Sequence, residues 1–117
     1  EWLPLAEQGV AGAQSNIGDL FSNGLGMERD KAQAFFWHIK AAEQGVSKSI
    51  FFVGAALAGG QGVEKDVVEA TKWLLLAKRV GFPNADGVLR LVARTISPED
   101  AAEGERLADE WVPTTAE

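Results

Sequence analysis

Few side chains in this sequence could do chemistry, and their spacing argues against most of it. His38 is the single histidine, and the chain has no cysteine, so disulfides and thiolate metal sites are excluded. A catalytic imidazole needs a nucleophile and an orienting partner, and a metal-binding one needs further ligands at set spacing. No second His, Cys or paired carboxylate stands at such spacing around His38, which is therefore read as an ordinary, partly exposed helical residue. Glu99 and Glu103 lie four apart and would share a helix face. General acid–base work requires two carboxyls in a cleft with their pKa values pushed apart, and a surface helix offers none. The Gly-x-Gly pairs at 24/26 and 60/62 have the form of a phosphate loop, and Gly59-Gly60 adds to the second. Such a loop follows a strand and continues into Gly-Lys-Ser/Thr or a third glycine, whereas helical patterns flank these pairs, so they are read as turns. No residue is nominated for catalysis, cofactor or metal, and an enzyme is not expected.

What the spacing does carry is a repeat. Trp37 and Trp73 are 36 residues apart, and at that offset Ala6-Glu7-Gln8-Gly9 recurs as Ala42-Glu43-Gln44-Gly45. Gly18 and Gly54, Gly24 and Gly60, Gly26 and Gly62, Asp30 and Asp66, Ala34 and Ala70, and Ala41 and Ala77 also coincide. A fixed period of this length marks stacked supersecondary units. The tryptophans, at identical places on an apolar stripe, are read as core anchors instead of stacking platforms.

Each unit reads as a helical pair. Ala13, Ile17, Leu20 and Phe21 form one apolar face of a helix over 11–22, and Asn23-Gly24-Leu25-Gly26 reverses the chain. Asp30 caps a helix over about 31–44. The second unit repeats this with helices over about 48–58 and 67–80, Asp66 as cap and Gly81 as stop. Gly18 and Gly54 fall mid-helix, where close approach of the paired helix at Ala41 or Ala77 would justify them. Residues 1–8 read as a short helix end, with Pro4 near its first turn and Gly9 stopping it.

The third unit departs from the pattern. Asn84 caps a helix to about Arg94, with Val88, Leu89 and Leu91 or Val92 inward, but Arg90 stands where the other units have Gly18 and Gly54. Ser97-Pro98 opens a closing helix over about 98–111 with Ala101, Gly104, Leu107, Ala108 and Trp111 on one side. Residues 97–117 hold seven acids against Arg106 alone, so the whole net charge of −6 lies there. A polar outer face is what the last element of an array requires. No basic footprint for nucleic acid is present, and no apolar run is long enough for a bilayer. The chain starts at Glu1 with no visible signal sequence, as a processed protein or a piece of a longer one would.

The pattern A-(x)4-G-(x)5-G-x-G-(x)3-D-(x)3-A-(x)2-W-(x)3-A-(x)3-G fits Ala13 to Gly45, and, with Ser49 for its first alanine, Ser49 to Gly81. This closely resembles the Sel1-like repeat, a relative of the tetratricopeptide repeat. The resemblance implies an all-α fold, a right-handed α/α solenoid of helix-turn-helix repeats ending in a capping helix. It divides a single domain, 1–112, into the end of a truncated unit (1–9), repeats at 10–45 and 46–81, and a degenerate capping unit at 82–112, with a loose tail at 113–117. It further implies a protein-interaction adaptor or scaffold that binds another protein or peptide, or neighbouring domains of a longer chain. The implied setting is bacterial and regulatory or envelope-associated, periplasmic above all, with the cytoplasm left open. The family's Cys-rich secreted branch is not matched.

The helix opening the second unit breaks the family's habit. Where Gln14 and Asn16 are polar, it carries Ile50 and Phe52. First helices line a solenoid's inner face, so a partner groove is expected over Gln14, Asn16, Asp19, Ile50, Phe52, Ala55 and Ala56. Core packing of Ile50 and Phe52 is the competing expectation. The alternative ligand is a peptidoglycan or polysaccharide fragment, which exposed aromatic and amide groups would favour.

Overall fold

The computed structural model describes residues 2–24 and 29–114. Among them are seven helices and no strand: α1 (Trp2–Glu7), α2 (Ala11–Asn23), α3 (Lys31–Glu43), α4 (Ser47–Gly59), α5 (Val67–Arg79), α6 (Ala85–Ala93) and α7 (Pro98–Glu110). Successive helices pack on one another through α6, as the expected solenoid requires. The Asp30 and Asp66 carboxylates accept from the amides of Gln33 and Glu69 at 3.0 and 3.1 Å, satisfying donors that a first helical turn leaves free. Ser97 caps α7 through the Asp100 amide at 3.1 Å. Asn84 precedes α6 but makes no side-chain cap; it sits in the left-handed region at φ 71° instead. Of the first reversal, Leu25 and Gly26 lie outside the described residues.

The mid-helix glycines mark close approaches, though not to the alanines expected. A Cβ on Gly18 would stand 2.6 Å from the His38 ring, and one on Gly54 2.9 Å from the Leu74 side chain. The residue that follows each tryptophan lies across the glycine, because that side chain points back at the partner helix. The second unit's turn is seated on the first unit: a Cβ on Gly62 would fall 2.2 Å from the Lys31 carbonyl oxygen at the start of α3.

At the C-terminus the alternation ends. α7 packs on α5 and hardly meets α6. Its close approach is made at Gly104, where a Cβ would stand 2.7 Å from the Thr71 side chain. Trp111 meets Trp73 edge to face at 5.7 Å, and Arg79 bonds Asp109 at 2.7 Å. This accounts for Arg90: since no helix lies against that face of α6, no glycine is needed, and the arginine turns out to Asp86. Arg90→Ala should therefore move the melting temperature by no more than about 2 °C, as expected of an exposed ion pair; calorimetry would show it. The tail is not loose throughout. The Thr114 amide donates to the Glu43 carbonyl at 2.6 Å, using one of the acceptors left free where α3 ends.

The core falls into two apolar clusters. One joins Ala6, Ala13, Ile17 and Trp37 across α1 to α3. The larger gathers Ile50, Val53, Leu57, Trp73, Leu74 and their neighbours across α3 to α7. At the joint of the two repeats lie the buried polar side chains Ser15, His38 and Ser49.

Candidate functional site

Two features are built at and beside that joint: a buried polar seam and an apolar groove. The seam starts at His38 on α3, which is 1% exposed and so not the surface residue its sequence context suggests. Its Nδ1 lies 2.8 Å from the Ser49 hydroxyl of α4, which lies 2.9 Å from the Ser15 hydroxyl of α2. Its Nε2 lies 3.2 Å from Asp19 Oδ1, close but poorly aligned, and the other oxygen of Asp19 takes Lys48 Nζ at 2.6 Å. A carboxylate only accepts, so a proton on Nε2 would face Asp19, and Nδ1 and the Ser49 hydroxyl share one hydrogen bond whose direction follows the ring tautomer. Burial, outweighing the attraction of Asp19, holds the His38 pKa below its ordinary value.

Ser, His and Asp side by side suggest a nucleophile, but the geometry withholds one. Ser49 is wholly buried, Ser15 is 1% exposed, and no substrate atom can reach either hydroxyl. Among the described residues no three metal-ligating side chains converge, and no helix is long and apolar enough to cross a membrane.

A second polar tie lies one step earlier. The Gln44 amide donates to the Gly9 carbonyl at 3.0 Å and to Gln14 Oε1 at 2.9 Å, while Gln14 donates to the Ala6 carbonyl at 3.2 Å. This places the expected groove residues. Gln14 is buried in that tie, and Ile50, at the equivalent place one unit on, is 3% exposed and inside the core. Neither they nor Ala56, 4% exposed, offers much surface to a partner. Asn16, Asp19, Phe52 and Ala55 are partly exposed. Asp19 is engaged with Lys48, and Phe52 stacks on His38 at 4.1 Å with 29° between the rings.

The groove itself runs from α4 to α6. A hollow of about 160 Å³ on Phe52, Ala55, Ala56 and Gln61 adjoins one of about 400 Å³ between α4, the start of α5, and α6; Ala55 lines both. Val88, Leu91 and Val92 form the far wall of the larger one, and Lys65 is its single charged lining residue. Leu91 is 59% exposed. The α6 wall was not anticipated, although the 36-residue offset contains it: Phe52, Ala55 and Ala56 correspond to Val88, Leu91 and Val92.

Comparison with known proteins agrees with this architecture. The Sel1 repeat matches residues 11–46 and again 47–82. The chain belongs to the Sel1 repeat family. Sel1 repeats are commonly protein-interaction modules, and the fold is typically non-catalytic. Among solved structures, the chain is similar to c5321, a protective antigen present in uropathogenic Escherichia coli strains and displaying an SLR fold. That match has 29% identity and a TM-score of 0.82, over 91% of this chain and 23% of the other. A Sel1 repeat protein from Oxalobacter formigenes matches with 32% identity and a TM-score of 0.68, over 73% of this chain and 64% of that one. This Sel1 chain thus spans about a quarter of the first and under two thirds of the second. No curated protein matches it.

Proposed function

We propose that this Sel1 chain is a non-catalytic interaction module, an adaptor or scaffold that takes an apolar segment of a partner protein into the groove between α4 and α6. The observation that carries this is the unfilled apolar wall: Val88 and Leu91 face a hollow of about 400 Å³ whose floor is small residues, Ala55 and Ala58. Exposed apolar surface of this kind, held on rigid helices, suits an apolar anchor from a peptide. A saccharide ligand is served less well, since it needs an open aromatic face ringed by amides. One face of Phe52 is taken by His38, and Lys40 stands over the half-exposed Phe36 at 4.9 Å. A bacterial setting is supported by the organisms of the two similar structures.

Leu91→Asp is the cleaner test, because Leu91 is exposed and Phe52 also braces the joint. Peptides selected from a random library against the purified protein should contain apolar anchors. They should bind the Leu91→Asp protein at least about tenfold more weakly, with its melting temperature unchanged. Peptides that bind both proteins equally would place the partner elsewhere, and selection of glycans but not peptides would favour the alternative ligand.

A further inference from the structure

The His38 ring is clamped on both faces, by the Gly18 backbone of α2 on one side and the Phe52 ring of α4 on the other. Phe52 in turn lines the groove. The ring therefore sets where this wall residue stands; one edge bonds Ser49 of α4 and the other lies beside Asp19 of α2.

The same molecule shows that the fold does not require this. At the 36-residue offset, Ser15, Asp19, His38 and Ser49 become Phe51, Ala55, Leu74 and Ala85. Leu74 lies across Gly54 as His38 lies across Gly18. Four polar positions have thus changed together to an apolar solution at the next joint. Buried polar networks commonly contribute less stability than well-packed apolar groups of similar volume. The network at the first joint is then not explained by stability alone.

We propose that His38 is a proton-operated positioning residue for the groove: neutral, it holds Phe52 in the wall; charged, it loosens the joint of α2, α3 and α4 and takes the wall with it. This rests on the reading of the groove as the binding surface. The charged groups facing the ring are Asp19 from α2 and Lys48 from α4. Asp19 and the Phe52 face favour a cation, but the carboxylate already neutralises Lys48, and protonation would place an added positive charge on a ring that is itself 1% exposed, although Asp19 and Lys48 reach solvent. Burial is the larger influence, so the folded state prefers the neutral ring. The sign follows. The unfolded chain binds the proton first as pH falls below about 6.5, the ordinary imidazole value, so this contribution to stability is complete above that pH and is lost below it.

The test uses the isolated protein with no partner, so its outcome is separate from that of the peptide selection. An NMR titration of the His38 ring should give a midpoint below 6.5, with the Phe52 ring signals moving on the same curve. Hydrogen exchange of the α4 amides from Ile50 to Val53, corrected for intrinsic rates, should lose about tenfold protection between pH 7 and pH 5. His38→Leu, which installs the side chain used at the equivalent position, should show no such loss. A midpoint at or above 6.5, unmoved Phe52 signals, or an equal loss of protection in the variant would each overturn the proposal.

Discussion

Gly62→Ala should destabilise the protein by about 2–5 kcal/mol, out of proportion to the single carbon it adds. Two costs combine. Gly62 sits at φ +76°, a left-handed conformation that costs an L residue about 1–2 kcal/mol. Its Cβ would also lie 2.2 Å from the Lys31 carbonyl oxygen and 2.9 Å from the Ala32 amide nitrogen, and backbone at the start of a helix cannot turn aside as a side chain can. Relief of overpacking typically costs a further 1–3 kcal/mol or so. The loop must lift off α3, and the Lys31–Gln61 hydrogen bond between the units goes with it. Denaturant unfolding followed by circular dichroism should show the midpoint fall. Gly81 is the control, since it too has positive φ but nothing lies within 4 Å of its would-be Cβ. If Gly81→Ala is as costly as Gly62→Ala, backbone strain alone is at work and the seating of the loop contributes nothing.

Trp73→Ala should cost about 3–5 kcal/mol, the usual range for emptying a buried aromatic site. Trp73 is 2% exposed in the larger core cluster, and its ring meets Trp111, the residue that follows α7. The loss should therefore be felt in α7 as well as α5. Removing the ring takes away the apolar ground on which the closing helix rests, and limited proteolysis should find cleavage in α7 that the parent protein resists. Intact α7 with a reduced melting point would mean that Gly104 and the Arg79–Asp109 pair hold that helix without the tryptophan.

The fold was legible because its signals are local and repeated. Glycines that stop helices, aspartates that cap them and a tryptophan on an alanine stripe occur twice in register, so each occurrence corroborates the other. The site was less legible because it depends on what touches what. His38 stands alone among its sequence neighbours, and its partners Ser15, Asp19 and Ser49 come from two other helices. No spacing rule joins them. A signal was available in the exceptions to the repeat, where those polar residues give way together to Phe51, Ala55, Leu74 and Ala85. The apolar Ile50, conspicuous as an exception, proved to be core: the equivalent buried position is filled by a bonded amide, Gln14, in one unit and by a hydrocarbon in the next. Leu91 was passed over because either it or Val92 could point inward on a helix of nine residues; Val92 does.

The placement of α7 across α5 has a consequence for symmetry. A solenoid is open at both ends by construction, since each unit offers the next the surface it received from the last. Here that translation is broken at α7, which packs on α5 in place of α6. The α1 end still shows Leu3 and Leu5, each nearly half exposed, whereas the α7 end shows a helix studded with carboxylates that would repel its own kind. The two ends of the array thus differ in character, with apolar side chains exposed on α1 and carboxylates along α7.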